Sequence, residues 1–177
     1  TVDIGGERVS SSAVRDALQE FDLRHAARLL GRPYAIAGRV VHGDKRGRSI
    51  GYPTANVQLK RNLPPFTGVF AVEVGGISHT PRRGVANIGY RPTVDSARRA
   101  TLEVHLFDFD GDLYCAHLSV NFLHKLREQR RFESLAALTE QIDRDARQAR
   151  EFFGTRDAAD RAKGLVDSAT AGSGSVR

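Results

Sequence analysis

Thr101-Leu102-Glu103-Val104-His105-Leu106 decides how the chain is to be read, because its apolar and polar residues alternate without a break. A period of two puts Leu102, Val104 and Leu106 on one face of a β-strand and Thr101, Glu103 and His105 on the other. Outward from this run the pattern recurs. Upstream, Val69, Ala71 and Glu73 oppose Phe70, Val72 and Val74, and Tyr34, Ile36 and Val40 alternate with Ala35, Ala37 and Arg39. Downstream, Leu118, Val120 and Phe122 oppose His117, Ser119 and Asn121. Residues 54–59 and 84–88 also read as strands. About six short strands, joined by Gly- and Pro-rich connections without helices, predict an antiparallel barrel or sandwich. Asp110-Gly111, between two of the runs, predicts a tight hairpin, since both central residues of a type I′ turn take positive φ.

Both ends of the chain change to a helical period. Ser12 offers a cap to a helix carrying Val14, Ala17, Leu18 and Phe21 on one face, and Asp22 a cap to a second over residues 23–30, which Gly31 and Pro33 end. Helices this short need something to pack on. Near the other end, Leu135, Leu138, Ile142, Ala146, Ala149 and Phe153 recur at helical spacing, with Ser134 as N-cap and Gly154 as the stop. This amphipathic helix is expected to pack against the barrel. Residues 155–177 weaken into Ala, Asp, Gly and Ser, and are expected to be disordered.

A chain of 177 residues suits one domain with short appendages. Lys and Arg exceed Asp and Glu by 27 to 21, a net charge of +6 that favours anionic partners such as nucleic acid, acidic lipid or nucleotide polyphosphates. Much of that charge alternates in sign, however, with Arg144, Arg147 and Arg150 among Asp143, Asp145 and Glu151, the pattern of a solvated helix face. Aromatic residues are only 7% and interleave little with the basic ones, which argues against a nucleic-acid partner. The single cysteine, Cys115, excludes an intrachain disulfide and a cysteine-held zinc, and reads as a small filler near a turn. No apolar run is long enough to span a bilayer and no leader pattern stands at the front, so the expectation is a cytoplasmic protein without a membrane partner. The start at Thr1-Val2-Asp3, without Met, suggests a fragment or a processed chain.

Chemistry gathers in Val41-His42-Gly43-Asp44-Lys45-Arg46-Gly47-Arg48-Ser49-Ile50-Gly51-Tyr52-Pro53-Thr54-Ala55-Asn56. Glycines let backbone N–H groups approach phosphate oxygens, and Lys or Arg neutralise them. The spacing is not that of a Walker A loop, and a strand rather than a helix follows, so it is no dinucleotide fingerprint either. By spacing alone, a hairpin loop with solvated charges fits equally well. Thr54 and Asn56 lie two apart on a strand and share a face; a hydroxyl and an amide oxygen suit Mg²⁺ already carrying phosphate oxygens. They also suit an ordinary strand and turn. Glu103 can serve as a general base if its face opens into a cleft, and is otherwise a solvent-facing strand residue. Asp108-Phe109-Asp110-Gly111-Asp112 is not a calcium loop, since its Gly falls at the fourth place and no Glu closes twelve residues.

The run Gly51-Tyr52-Pro53-Thr54-Ala55-Asn56 resembles the Gly-x-Pro-Thr-Ala-Asn signature of riboflavin kinases, which follows a Gly-rich flap. Further matches fall in order: residues 84–93 (Gly-Val-Ala-Asn-Ile-Gly-Tyr-Arg-Pro-Thr), Leu102-Glu103-Val104-His105 before Asp108 to Tyr114, and Phe122-Leu123-His124-Lys125-Leu126-Arg127 before Phe132. The resemblance runs from about Arg32 to Phe153 and implies a six-stranded Greek-key barrel with a C-terminal helix, preceded by short N-terminal helices. It implies a kinase that moves the γ-phosphate of MgATP to riboflavin and gives FMN. By the same resemblance Gly43, Arg48, Gly51, Pro53, Thr54 and Asn56 meet ATP, Thr54 and Asn56 hold Mg²⁺, Glu103 is the base on the ribityl 5′-hydroxyl, and Arg127 and Phe132 border the flavin. Glu7-Arg8-Val9-Ser10-Ser11-Ser12-Ala13-Val14-Arg15 is similar to the Ile-Ser-Ser-Thr-x-Ile-Arg run that ends the adenylyltransferase half of bacterial bifunctional FAD synthetases. On that basis residues 1–31 are a remnant of that domain and its linker, 32–154 the kinase barrel and helix, and 155–177 a tail. A partner adenylyltransferase domain is then expected in the parent protein, with FMN adenylylation absent from this chain.

Overall fold

The alternating stretches close on one another as a barrel. The computed structural model describes residues 3–4, 7–8, 10–43, 50–59, 63–92 and 98–171. A short pair, β1 (Asp3–Ile4) and β2 (Glu7–Arg8), precedes α1 (Ser11–Gln19) and α2 (Leu23–Leu30). The barrel is built from β3 (Tyr34–Val41), β4 (Ala55–Val57), β5 (Gly68–Gly75), β6 (Arg82–Pro92), β7 (Arg98–Leu106) and β8 (His117–Arg127). Its order is β3-β4-β7-β6-β5-β8, closed by β8 pairing with β3, and every neighbouring pair is antiparallel. Closure gives every barrel strand a neighbour on both sides, the short β4 covering only the end of β3. The inward faces supply the core: Phe70, Val72, Val74, Ile88, Leu102, Val104, Leu118, Val120 and Phe122 are each less than 2% exposed. Phe66 stops one end, its ring 4.8 Å from that of Phe70 and 5.1 Å from that of Phe122, and Phe21 at the end of α1 packs on Phe66 at 6.4 Å. The short N-terminal helices therefore find their partner in the barrel.

The last helix, α3 (Leu135–Ala171), lies on the outer face of β5, β6 and β8. Ala149 and Phe153 pack with Ala71 and Phe107, which is why β5 is buried on both faces. Ser134 caps the helix as expected, accepting from Ala137 N at 3.1 Å.

Five expectations need correction. The helix does not stop at Gly154 but continues to Ala171, so residues 155–171 are not a disordered tail. Two tertiary ion pairs reach past the glycine: Arg83 binds Asp157 in a bidentate fork at 2.6 and 2.7 Å, and Arg156 reaches Glu73 at 3.1 Å. These contacts offset the roughly 1 kcal/mol that a helical glycine costs relative to alanine. Asp110-Gly111 does not join a two-strand hairpin, because β7 and β8 are not neighbours; residues 107–116 cross between them. The cap of α1 is Ser10, which accepts from Ala13 N, rather than Ser12. Cys115 is exposed, with a φ of 64°, and fills no core. Leu135 is also exposed, at 63%, because the first helical turn precedes contact with the wall.

Candidate active site

Strand register lines up one ring of residues around the outside of the barrel. Val41 pairs with Asn56, Asn56 with Glu103, Glu103 with Asn87, Asn87 with Val69, and Val69 with Arg127. Residues opposite one another in an antiparallel ladder share a face, with Cβ atoms about 4.5–5.5 Å apart. Leu102 and Val104 point inward, so Glu103 points out, flanked by the carboxamides of Asn56 and Asn87. Asn56 and Glu103, singled out from the sequence, are thus side by side.

The outer position of Glu103 does not leave it facing open solvent. The N-terminal half of α3 and the segment after β8 overhang the wall and enclose a cavity of about 300 Å³. Glu103, Thr54, Asn56, Asn87, Arg127 and Phe132 line it together with apolar Val69, Leu138 and Ile142. A second cavity of about 520 Å³ lies between the end of β3, the Pro53–Asn56 run and the 107–116 crossing, and includes Gly43, Asp110, Asp112 and Tyr114. Thr54 and Asn56 line both cavities. The two spaces therefore meet at those two side chains.

Local contacts hold this junction. His105 Nδ1 lies 2.9 Å from the Pro53 carbonyl, tying the turn before Thr54 to β7. Tyr52 packs edge-on against the same imidazole at 5.2 Å. Gly43 runs against Asn56 so closely that a Cβ there would overlap the carboxamide. Gly51 has a φ of 82°, a conformation that favours glycine, but it is exposed and lines neither cavity. His42 stacks on Tyr114 with centroids 3.8 Å apart beside the larger cavity. Arg48 lies outside the described residues.

The roof of the smaller cavity is fastened by a polar clamp. Arg127 donates Nε to Asp145 Oδ1 at 2.8 Å and Nη2 to Asp145 Oδ2 at 2.8 Å, and Nη1 to the Glu128 carbonyl at 2.9 Å. Gln141 Nε2 donates to Asp145 Oδ1 at 2.9 Å, and Arg130 donates to Gln141 Oε1 at 2.7 Å. Both guanidinium groups lie near the Phe132 ring, Arg130 at 4.8 Å and Arg127 at 5.7 Å. The Arg127 guanidinium is thereby engaged by the helix as well as lining the cavity. Further along, Arg150 pairs with Asp108 at 3.2 Å and holds that carboxyl below the usual carboxylate range by hydrogen bonding, so the helix also anchors the crossing that borders the larger cavity.

Sequence reasoning missed Asn87, Gln129, Gln141 and Asp145. Asn87 could have been found, because it alternates with Ala86 and Ile88 as Glu103 does with Leu102 and Val104. Asp145 was hidden in a run of alternating charges, although its spacing of four from Gln141 and Ala149 places it on the barrel-facing side.

The family model described as "Flavokinase: Riboflavin kinase" matches residues 30–153, most of the chain. The chain belongs to the riboflavin kinase family. It is 56% identical over 150 residues to the bifunctional riboflavin kinase/FMN adenylyltransferase of Escherichia coli (strain K12), covering 85% of this chain and 48% of that protein. The chain thus spans about half the length of the curated relatives it matches. Among solved structures, the riboflavin kinase of Trypanosoma brucei superposes with a TM-score of 0.50 at 26% identity, over 69% of this chain and 80% of that one. A Streptococcus pneumoniae structure described as a macrolide-efflux protein superposes with a TM-score of 0.72 at 37% identity, over 81% of this chain and 47% of that one. Among the described residues no helix is long and apolar enough to cross a membrane.

The resemblance of residues 51–56 to riboflavin kinases implies a magnesium nucleotide, and the donor set here can be tested for that. Among the described residues no three His, Cys, Asp or Glu side chains cluster in a way that could cage a metal. What stands at the cavity junction is a neutral pair of hard oxygen donors, the Thr54 hydroxyl and the Asn56 amide. Such a sparse pair fits Mg²⁺, which keeps waters and phosphate oxygens as most of its shell.

Proposed function

We propose that the chain is a riboflavin kinase, transferring the γ-phosphate of MgATP to the ribityl 5′-hydroxyl of riboflavin and giving FMN and ADP. The observation that carries this reading is the meeting of two cavities at Thr54 and Asn56, with Glu103 next to Asn56 on the neighbouring strand. The larger cavity takes the nucleotide and the smaller one the flavin, so that the hydroxyl and the γ-phosphorus approach from opposite sides of the junction. Both volumes fall in the range of small-molecule sites.

Thr54 Oγ1 and Asn56 Oδ1 would hold Mg²⁺, which when bound neutralises phosphate charge and helps align the transferred group. The Glu103 carboxylate takes the proton of the 5′-hydroxyl as the new O–P bond forms and the bond from Pγ to the β–γ bridging oxygen breaks, with ADP leaving. Gly43 lets the backbone lie close to the phosphates, and Arg48 is assigned a phosphate contact. Gly51 and Pro53 form the turn that delivers Thr54. Phe132 offers an aromatic face to the isoalloxazine, and Arg127 fixes the wall beside it while clamped by Asp145. The apolar lining excludes water that would otherwise compete as acceptor.

We further read residues 1–31 as the end of an adenylyltransferase domain and its linker, in a cytoplasmic parent protein that also converts FMN to FAD. The relatives' bifunctional names and the similarity of residues 7–15 support this. The test is mass spectrometry of riboflavin incubated with ATP, Mg²⁺ and the protein. FMN without FAD is the expected product, abolished by chelating the metal. Glu103→Gln should lower kcat by about 10²- to 10⁴-fold with an unchanged melting temperature. Wild-type turnover in that variant would remove Glu103 from the role of base.

A further inference from the structure

Glu103 sits between two carboxamides, and only one of them also lines the larger cavity. Asn56, on β4, belongs to the junction of the two cavities. Asn87, on β6, pairs with Glu103 from the other side and lines only the smaller cavity. Its Oδ1 accepts a hydrogen bond from Gln129 Nε2 at 2.7 Å. Gln129 follows β8 and is itself seated over Gly89, where any Cβ would overlap its amide group. A line of contacts therefore runs from the empty side-chain position at Gly89, through Gln129, to the orientation of Asn87. With Oδ1 occupied by Gln129, the polar atom left to Asn87 is its NH₂, a donor suited to a carboxylate.

Building on the reading of Glu103 as base, we infer that Asn87, oriented by Gln129, is a positioning residue that holds the Glu103 carboxylate in line with the acceptor hydroxyl. A glutamate side chain has three rotatable bonds, and proton abstraction requires one oxygen to stay within hydrogen-bond reach of the hydroxyl. A lateral amide donor restrains it on the side away from Asn56. It adds no charge to the site. Arg127, on the same ring, has its guanidinium bound by Asp145. Asn87 is exposed on the wall, so substituting it leaves the barrel core untouched.

The test compares wild type, Asn87→Ala, Asn87→Asp, Glu103→Gln and the Asn87→Ala/Glu103→Gln double variant. It uses kcat for FMN formation and riboflavin Kd from quenching of flavin fluorescence. Misplacement of the base should lower kcat about 10- to 100-fold in both Asn87 variants, with riboflavin Kd within about threefold of wild type. Asn87→Asp keeps the shape but replaces the donor with a carboxylate that repels Glu103, so it should be damaged at least as much as Asn87→Ala. Damage in both variants separates the lost amide N–H from lost packing. The double variant should turn over no more slowly than Glu103→Gln alone, because a residue acting through Glu103 has nothing left to position. Wild-type kcat in Asn87→Asp, losses that multiply in the double variant, or riboflavin affinity that falls in step with kcat would each overturn the inference while leaving the base in place. Wild-type turnover in Glu103→Gln would instead remove the base itself, and the role of Asn87 with it.

Discussion

Leu102 and Val104 point into the barrel while Glu103, between them on the same strand, points out, and the two faces of the wall carry opposite chemistry. The inner face is apolar and filled: Phe66, Phe70 and Phe122 interlock within 5.4 Å of one another, and the aliphatic residues around them are sealed from solvent. A packed interior of this kind has no room for a ligand. The outer face is covered unevenly by one helix. Under Ala149 and Phe153 the cover is close and apolar, whereas over Glu103 the helix is held off by the clamp of Arg127, Asp145, Gln141 and Arg130, and a cavity remains. One face makes the fold stable; the other uses the stable wall as a platform.

This contrast can be broken at several points. Phe122→Ala on the inner face should cost about 3–5 kcal/mol of unfolding free energy, measured by urea denaturation. The proposed phosphorylation of riboflavin, per folded molecule, should be largely kept, since the aromatic ring lies on the side of the wall away from Glu103. Asp145→Ala on the outer face strands the Arg127 guanidinium and leaves Gln141 without its acceptor. It should cost about 3 kcal/mol and also weaken riboflavin binding, because the clamp forms the cavity roof. If riboflavin affinity were untouched by Asp145→Ala, the clamp would be a stability device only.

Two smaller effects probe the helix beyond the cavity. Gly154→Ala should stabilise by about 1 kcal/mol, raising the melting temperature by about 2–4 °C, because nothing lies within 4 Å of the added methyl. A fall in melting temperature would mean that the helix needs the glycine. The Asp157 carboxyl is held below its ordinary value of 3.8 chiefly by the hydrogen bond from Arg83. A depressed carboxyl contributes stability that is present above its unfolded value and is lost as pH falls through the folded one. Wild type should therefore lose melting temperature more steeply than Asp157→Asn below about pH 4. Parallel curves would show that this exposed pair adds nothing to docking of the helix just past Gly154.

Much of the site was legible before folding because strand periodicity is local. The alternation in residues 101–106 placed Glu103 on the face away from the core, and Thr54-x-Asn56 put two oxygen donors on one side of the chain. The failures share a cause. Gly154 and Asp110-Gly111 carry strong local signals, but ion pairs from Arg83 and Glu73 extend the helix, and β7 pairs with β4 and β6 rather than β8. Asp145 looked solvated because its partner, Arg127, is 18 residues away and becomes its neighbour only when α3 docks.

The sequence alone determined where the six barrel strands fall, though not their ends, and which side of each is apolar, since these follow from backbone period. The side chains assigned to phosphoryl transfer came from the resemblance of residues 51–56 and 102–105 to riboflavin kinases. Register and docking decided the rest. Pairing across the barrel brought Asn56, Glu103 and Asn87, separated by tens of residues in the chain, into one row, and the polar clamp under α3 turned an exposed wall into a cavity. Both depend on contacts between distant segments, whose free energies exist only once the chain has closed on itself.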